Sequence, residues 1–144
     1  MVSTLFVHGR RLYTTASLLT FAFAGFHTYG TIQPVPPDID PIVQSMQNTS
    51  VEMGLGMSPS LWDIHQSLAF TMGITLSILA LLGLVLAGTR ETTARVLSRT
   101  AAVMTTGCVA LAAVYYIFRV PPPLLTFATL TLVWGVAQRT TRLA

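Results

Sequence analysis

The chain has 144 residues, 52% hydrophobic and only 9% charged, with eight Lys and Arg side chains against five acids for a net charge of +3. Soluble domains carry roughly a quarter of their residues as charges, so this composition excludes an ordinary soluble domain, and the length limits the chain to one domain. All eight basic residues are arginines, which excludes lysine Schiff-base chemistry and a Walker-type phosphate loop, and the single Cys108 excludes an intrachain disulfide, a CxxC pair or a thiolate cluster.

Arg10 and Arg11 precede the first of four charge-free apolar stretches, Leu12 to Tyr29; the others are Ile64 to Thr89, Thr100 to Phe118 and Val120 to Gln138. Each is close to the ~20 residues an α-helix needs to cross a bilayer's hydrocarbon core. The pattern predicts helices over about 12–30, 60–88, 92–118 and 121–138, joined in one membrane domain over 1–144 with an outer loop at 31–59. Arg10, Arg11 and the run from Leu12 to Ala22-Phe23-Ala24 also fit a signal peptide with an A-x-A cleavage site. The apolar stretch continues past that site, so the expectation is a retained helix.

Within the loop, Gln33 to Pro37 is proline-rich and should be extended, because each proline bars its predecessor from the helix. Asp40-Pro41 reads as a helix start, with Asp as N-cap and Pro in the first helical position. Ile42, Val43, Met46 and Val51 then fall near one face and Gln44, Gln47 and Asn48 opposite, describing a short amphipathic helix on the outer membrane surface or over the mouth of the bundle. Gly54 and Gly56 should end it. Ser58-Pro59-Ser60 opens the next helix, where Ser60-x-x-Asp63 forms a capping box. Asn48-Thr49-Ser50 matches the glycosylation pattern, but an arginine-only basic composition points to a GC-rich bacterial genome, where the match carries no weight. Glu91 and Arg95 stand four apart and should extend the third helix as a solvated pair.

The charges sort by sign between the stretches. Arg10 and Arg11, then Arg90, Arg95 and Arg99, then Arg139 and Arg142 mark three cytoplasmic regions, which places both termini inside, in a bacterial inner membrane. Four of the five acids (Asp38, Asp40, Glu52, Asp63) lie in or beside the outer loop. Arg119 is on the wrong side and should snorkel to the interface beside Tyr115 and Tyr116. The arginines form no basic run with an aromatic platform, so the partner is the lipid bilayer and not nucleic acid.

Chemistry concentrates at the outer end of the first two helices. His27 and His65 lie within about a turn of the same interface, with Trp62, Asp63 and Gln66 beside His65; His8 is at the opposite end. Ala69, Gly73 and Ser77 on one helix and Ala16, Thr20 and Ala24 on the other form small-residue ridges leading to His65 and to His27 with Thr28. Membrane helices approach closely along such ridges, which would turn both histidines inward.

Three chemistries follow. His27 and His65 are candidate axial ligands to a haem, which needs two imidazoles on opposite sides of one plane. With Asp63 or Glu52 they are a candidate divalent-metal set. His27, His65 and Asp63 are also candidate catalytic groups for acid–base work on a lipophilic substrate. A structural reading stands beside these and is preferred: interfacial histidines bonded to water, headgroups or a neighbouring helix, with Asp63 in the capping box. Met46, Met53 and Met57 suggest soft-metal binding such as copper, or simple filling of apolar surface. Cys108 reads as a small core residue, Trp62 and Trp134 as belt residues at the interfaces, and the helical threonines as donors back to their own backbone or across to a neighbour. The acid-free spans argue against an ion pump or proton-coupled transporter.

Four helices, Gly25-Phe26-His27 near the end of the first and Trp62-Asp63-Ile64-His65 opening the second resemble the small uncharacterised four-helix integral membrane proteins of bacteria. In outline the chain is similar to the DoxX-like group, some of whose members are tied to quinone or thiol redox systems. The resemblance implies no particular functional residue, and the absent lysine and lone cysteine do not add to the redox link.

The expectation is therefore an all-α fold: an antiparallel four-helix transmembrane bundle with a short amphipathic surface helix in the first outer loop. The favoured function is an accessory or lipophile-binding membrane protein that engages a membrane protein partner or a second copy of itself. The alternative is a membrane enzyme or redox protein centred on the outward His/Asp site.

Overall fold

A computed structural model describes residues 2–117 and 119–143 of the chain, with side chains from Phe6 onward apart from Pro121. It is all-α, 79% helical, with five helices among the described residues. These are α1 (Val2–Thr31), α2 (Asp40–Gln47), α3 (Leu61–Gly88), α4 (Ala94–Ile117) and α5 (Pro121–Arg142). By length and composition, α3 and α4 are apolar enough to cross a membrane. The expected end of the third stretch, Phe118, lies outside the described residues.

Two helices outrun the apolar stretches that predicted them. α1 begins ten residues before Leu12 and α5 continues through Arg139 to Arg142. Arginine ends a membrane-compatible stretch but is itself a good helix former, so charge marks the apolar boundary and not the helix boundary. At α4 the correction goes the other way. The helix starts at Ala94, with the Val96 N–H on Thr93 Oγ1 at 3.4 Å, so Glu91 lies in the preceding turn and forms no helical pair with Arg95.

The chain divides into two compact units. The first comprises Met1–Phe23 and Ser77–Ala144. Its buried positions recur at helical spacing: Tyr13, Ala16, Ser17 and Thr20 on α1; Ala80, Gly83 and Ala87 on α3; Leu97, Ala101 and Cys108 on α4; Phe127, Leu130, Trp134, Ala137 and Thr141 on α5. Tyr13 meets Trp134 edge-on at 5.0 Å, and Phe23 meets Phe127 at 5.6 Å. A Cβ on Gly9 would fall 2.9 Å from Thr141 Cγ2. Residue numbers rise on α1 as they fall on α5, so these helices run antiparallel. Gly83 of α3 receives Ser17 and Tyr13 so closely that a Cβ there would overlap the Ser17 hydroxyl. Arg10 donates to the carbonyls of Ala87 and Thr89, satisfying the end of a helix with no basic residue in its own last turn.

The α4–α5 hairpin turns through a Schellman closure. Arg119, at φ 55°, donates its backbone N–H to Tyr116 O at 3.2 Å, while the Val120 N–H reaches Tyr115 O at 3.0 Å. Proline at the start of α5 follows at once, where a missing N–H costs nothing. Tyr115 stacks on Phe127 at 5.6 Å, closing the hairpin's end. Trp134, expected in an interfacial belt, is instead fully buried. The threonines behave as expected: those at 14, 15, 20, 100, 105, 126, 129, 131 and 140, among others, bond the carbonyl four residues back.

The second unit is Ala24–Leu76, which holds the end of α1, the whole 32–60 segment and the start of α3. α2 starts one residue earlier than its cap signal suggested. Ile39 is the N-cap, and Asp40 is already helical, its carboxylate accepting from Gln44 Nε2 at 2.8 Å. Asn48 closes the helix, so Gly54 and Gly56 do not end it and Val51 lies beyond it. Of the expected apolar face only Val43 is buried; Met46 is half-buried and Ile42 exposed.

The two glycines serve a small hairpin instead. Isolated bridges pair Ser50 with Ser60 and Gly54 with Met57, and Leu61 N–H returns to Thr49 O at 2.9 Å. Gly54, Leu55 and Gly56 all have positive φ at its tip, a conformation open to glycine without penalty. The capping box at α3 forms as its spacing predicts: Asp63 Oδ2 accepts from Ser60 N–H at 3.0 Å and Ser60 Oγ at 2.7 Å, while Asp63 N–H reaches Ser60 Oγ at 3.1 Å.

Candidate functional site

Within the second unit the end of α1 and the start of α3 approach closely, and the reason is local. A Cβ on Gly73 would collide with Thr28 Oγ1 and come 3.8 Å from Ala24 O. A glycine facing a threonine that bonds back to its own helix, Thr28 Oγ1 to Ala24 O at 2.9 Å, lets the backbones draw together. One turn further along, His27 Nε2 lies 3.2 Å from Ala69 O. A carbonyl only accepts, so this contact makes Nε2 the N–H-bearing nitrogen of the ring.

Beyond this contact the unit opens into a cleft of about 440 Å³, lined by residues of α1, α3 and the segment between them. Phe26, His27, Gly30 and Thr31 contribute from α1, and Trp62, His65, Gln66 and Ala69 from α3. The third wall is Gln33 to Pro36 with Ile39. The Trp62 and His65 rings stack with centroids 5.4 Å apart and planes 29° from parallel. They are three residues apart on one helix, which puts them on neighbouring positions of the same face. Gln66 Oε1 is shut off from solvent and receives no hydrogen bond from the described residues. An unmet buried acceptor of this kind costs about 1–3 kcal/mol.

The structure therefore brings His27 and His65 to one cleft and leaves the acids out of it. Asp63 is exposed and engaged with Ser60; Glu52 is exposed on the small hairpin; neither lines the cleft. Among the described residues no three of His, Cys, Asp and Glu converge as a metal-binding group. Met53 and Met57 are exposed on the hairpin, whereas Met46 is on α2.

The proline wall is not among the expected site residues, whereas the sequence places Gln66 beside His65 without revealing its burial. The proline run reads in sequence only as a stretch that cannot be helical. Its rigidity is a usable signal for a preformed wall, because a segment already locked at φ near −65° loses little entropy on lining a site. Gln66 carried a weaker signal: the single amide of α3, in first turns that also hold Asp63, His65 and Ser67.

Chemically the cleft is aromatic and aliphatic over most of its surface, with two imidazoles, two amides, the Trp62 indole N–H and the Thr31 hydroxyl as its polar groups, the last already bonded to His27 O at 2.9 Å. That balance fits an apolar molecule with one or two hydrogen-bonding atoms. No protein-family model, curated protein or solved structure matches the chain.

Proposed function

We propose that this chain is an integral membrane protein of accessory or lipophile-binding type, an antiparallel four-helix transmembrane bundle whose second unit holds an amphiphile. The cleft carries this reading: about 440 Å³ with aromatic and proline walls, and beside them an amide oxygen that lacks a donor. A hydroxyl or amide of a bound lipophile can supply that donor once the Gln66 side chain turns to meet it, while Trp62 and Phe26 cover the apolar body.

Exposure supports the membrane setting. In the most apolar windows of α3 and α4, only 22% and 11% of residues are buried. Ile78, Leu79, Leu81, Leu82 and Val85 all stand exposed on α3. A soluble core helix would hide such residues; a helix in lipid need not. The arginine distribution supports cytoplasmic termini, which puts the cleft on the outer side of a bacterial inner membrane.

The convergence of His27 and His65 on one cleft favours a second reading, a membrane redox protein or enzyme that uses these imidazoles with a haem or in acid–base chemistry. The test separates the two. The protein is purified in mild detergent, its absorption spectrum is taken oxidised and reduced, and the same sample is extracted for mass spectrometry. The first reading expects a co-purifying lipophile that is depleted by Trp62→Ala and by Gln66→Leu, with no Soret band. A Soret band with sharp reduced bands, lost in His27→Ala or His65→Ala, would overturn it in favour of electron transfer.

A further inference from the structure

In the first unit, where α4 begins and α5 ends, Arg95, Ser98 and Arg99 of α4 and Thr141 and Arg142 of α5 line an open pocket of about 480 Å³. Its wall holds three guanidinium groups and no acid. All three arginines are exposed, and among the described residues no side-chain hydrogen bond or ion pair engages them. The two hydroxyls are already committed, Ser98 Oγ to Gln138 O at 3.5 Å and Thr141 Oγ1 to Ala137 O at 2.8 Å. The donors left to a ligand are the arginines.

Helix electrostatics do not account for this clustering. Arg142 stands in the last turn of α5, where a cation is favourable. Arg95 stands in the first turn of α4, which has no acid, so its charge adds to the positive end of the helix dipole. The positive potential of the α4 terminus and three unpaired guanidiniums thus overlap in one concave place. We propose that this pocket binds the phosphate group of an anionic ligand. Guanidinium forks match phosphate oxygens bidentately, and a basic pocket between helix ends suits the headgroup of an anionic phospholipid or a free phosphate ester.

Arginines that merely set topology would give a different result, because any arginine at that end would serve equally. Arg139 provides the control: it is exposed on the same last turn of α5 but does not line the pocket. The full chain in detergent is titrated with phosphatidylglycerol, phosphatidylcholine and inorganic phosphate, with binding read by native mass spectrometry.

Phosphatidylglycerol should be held in preference to phosphatidylcholine, with Arg95→Gln and Arg142→Gln each weakening it about fivefold and Arg139→Gln leaving it near wild type. Binding of inorganic phosphate with the same arginine dependence, and no lipid preference, would assign the site to a soluble phosphate ester. Absence of binding by every probe, or an equal loss in Arg139→Gln, would overturn the proposal. Where a Gln variant does not fold, Arg→Lys variants at 95 and 142 keep the charge but lose the planar fork. Weakened binding then supports the site, and unchanged binding counts against it.

Discussion

The indole N–H of Trp134 donates to Thr20 Oγ1 at 3.1 Å across 114 residues of sequence, and both side chains are fully buried. Thr20 meanwhile donates to Ala16 O at 2.9 Å, so one hydroxyl satisfies its own helix and ties α1 to α5. Replacing Thr20 with Val keeps the shape and strands the indole. Interhelical hydrogen bonds of this kind are worth about 0.6–1.7 kcal/mol in membranes, so a loss of that order is expected in a detergent unfolding titration. A cycle with Trp134→Phe should show coupling. Additive effects would mean that the bond contributes nothing.

Glycines of α1 and α3 should respond oppositely to the same change. Among the described residues, nothing beyond its own stretch of helix lies within 4 Å of a Cβ built on Gly25, whereas one on Gly73 collides with Thr28. Gly25→Ala should stabilise the helix by about 0.5–1 kcal/mol. Gly73→Ala should destabilise by about 1–3 kcal/mol through overpacking and should distort the neighbouring cleft. Equal shifts in melting temperature would refute the close approach of Thr28 and Gly73.

Arg10 and Arg11 are adjacent in sequence and different in role. Arg10 satisfies the carbonyls of Ala87 and Thr89, while the Arg11 side chain is exposed. Arg10→Gln should cost up to about 2 kcal/mol by removing a cation from a helix C-terminus, and Arg11→Gln should be close to neutral. Comparable losses from both would place the effect in membrane insertion instead.

The chain has two tryptophans, one lining the cleft and one buried in the first unit. Trp62 fluorescence can therefore be isolated in Trp134→Phe. Titration with a dibrominated fatty acid should quench it saturably, and Gln66→Leu should shift the midpoint by about tenfold if the amide meets the ligand. Linear, unsaturable quenching would indicate only detergent-like contact.

Orientation has its own test. A reporter fused after the last residue should be active in the cytoplasm, and one inserted at the hairpin tip, Gly54-Leu55-Gly56, should be active outside. Activity on the reverse sides would invert the placement of both the cleft and the arginine pocket.

The sequence by itself determined the existence and order of the helices, though not their ends, together with the Ser60–Asp63 capping box and the threonine back-bonds. All of these follow from charge-free length or spacing along one chain segment, which are local properties. It also singled out His27 and His65, because ionisable groups near the ends of apolar helices are few. Only the tertiary structure decided what surrounds them. The local capping box keeps Asp63 on Ser60, three residues away, so the tertiary structure gathers the two histidines without the carboxylate. Trp134 looked interfacial from its place near a helix end, yet its burial depended on Tyr13 and Thr20, more than a hundred residues distant. The proline wall of the cleft and the meeting of Arg95 with Arg142 were invisible for the same reason: contacts between segments far apart in sequence depend on packing register, and no local pattern encodes it.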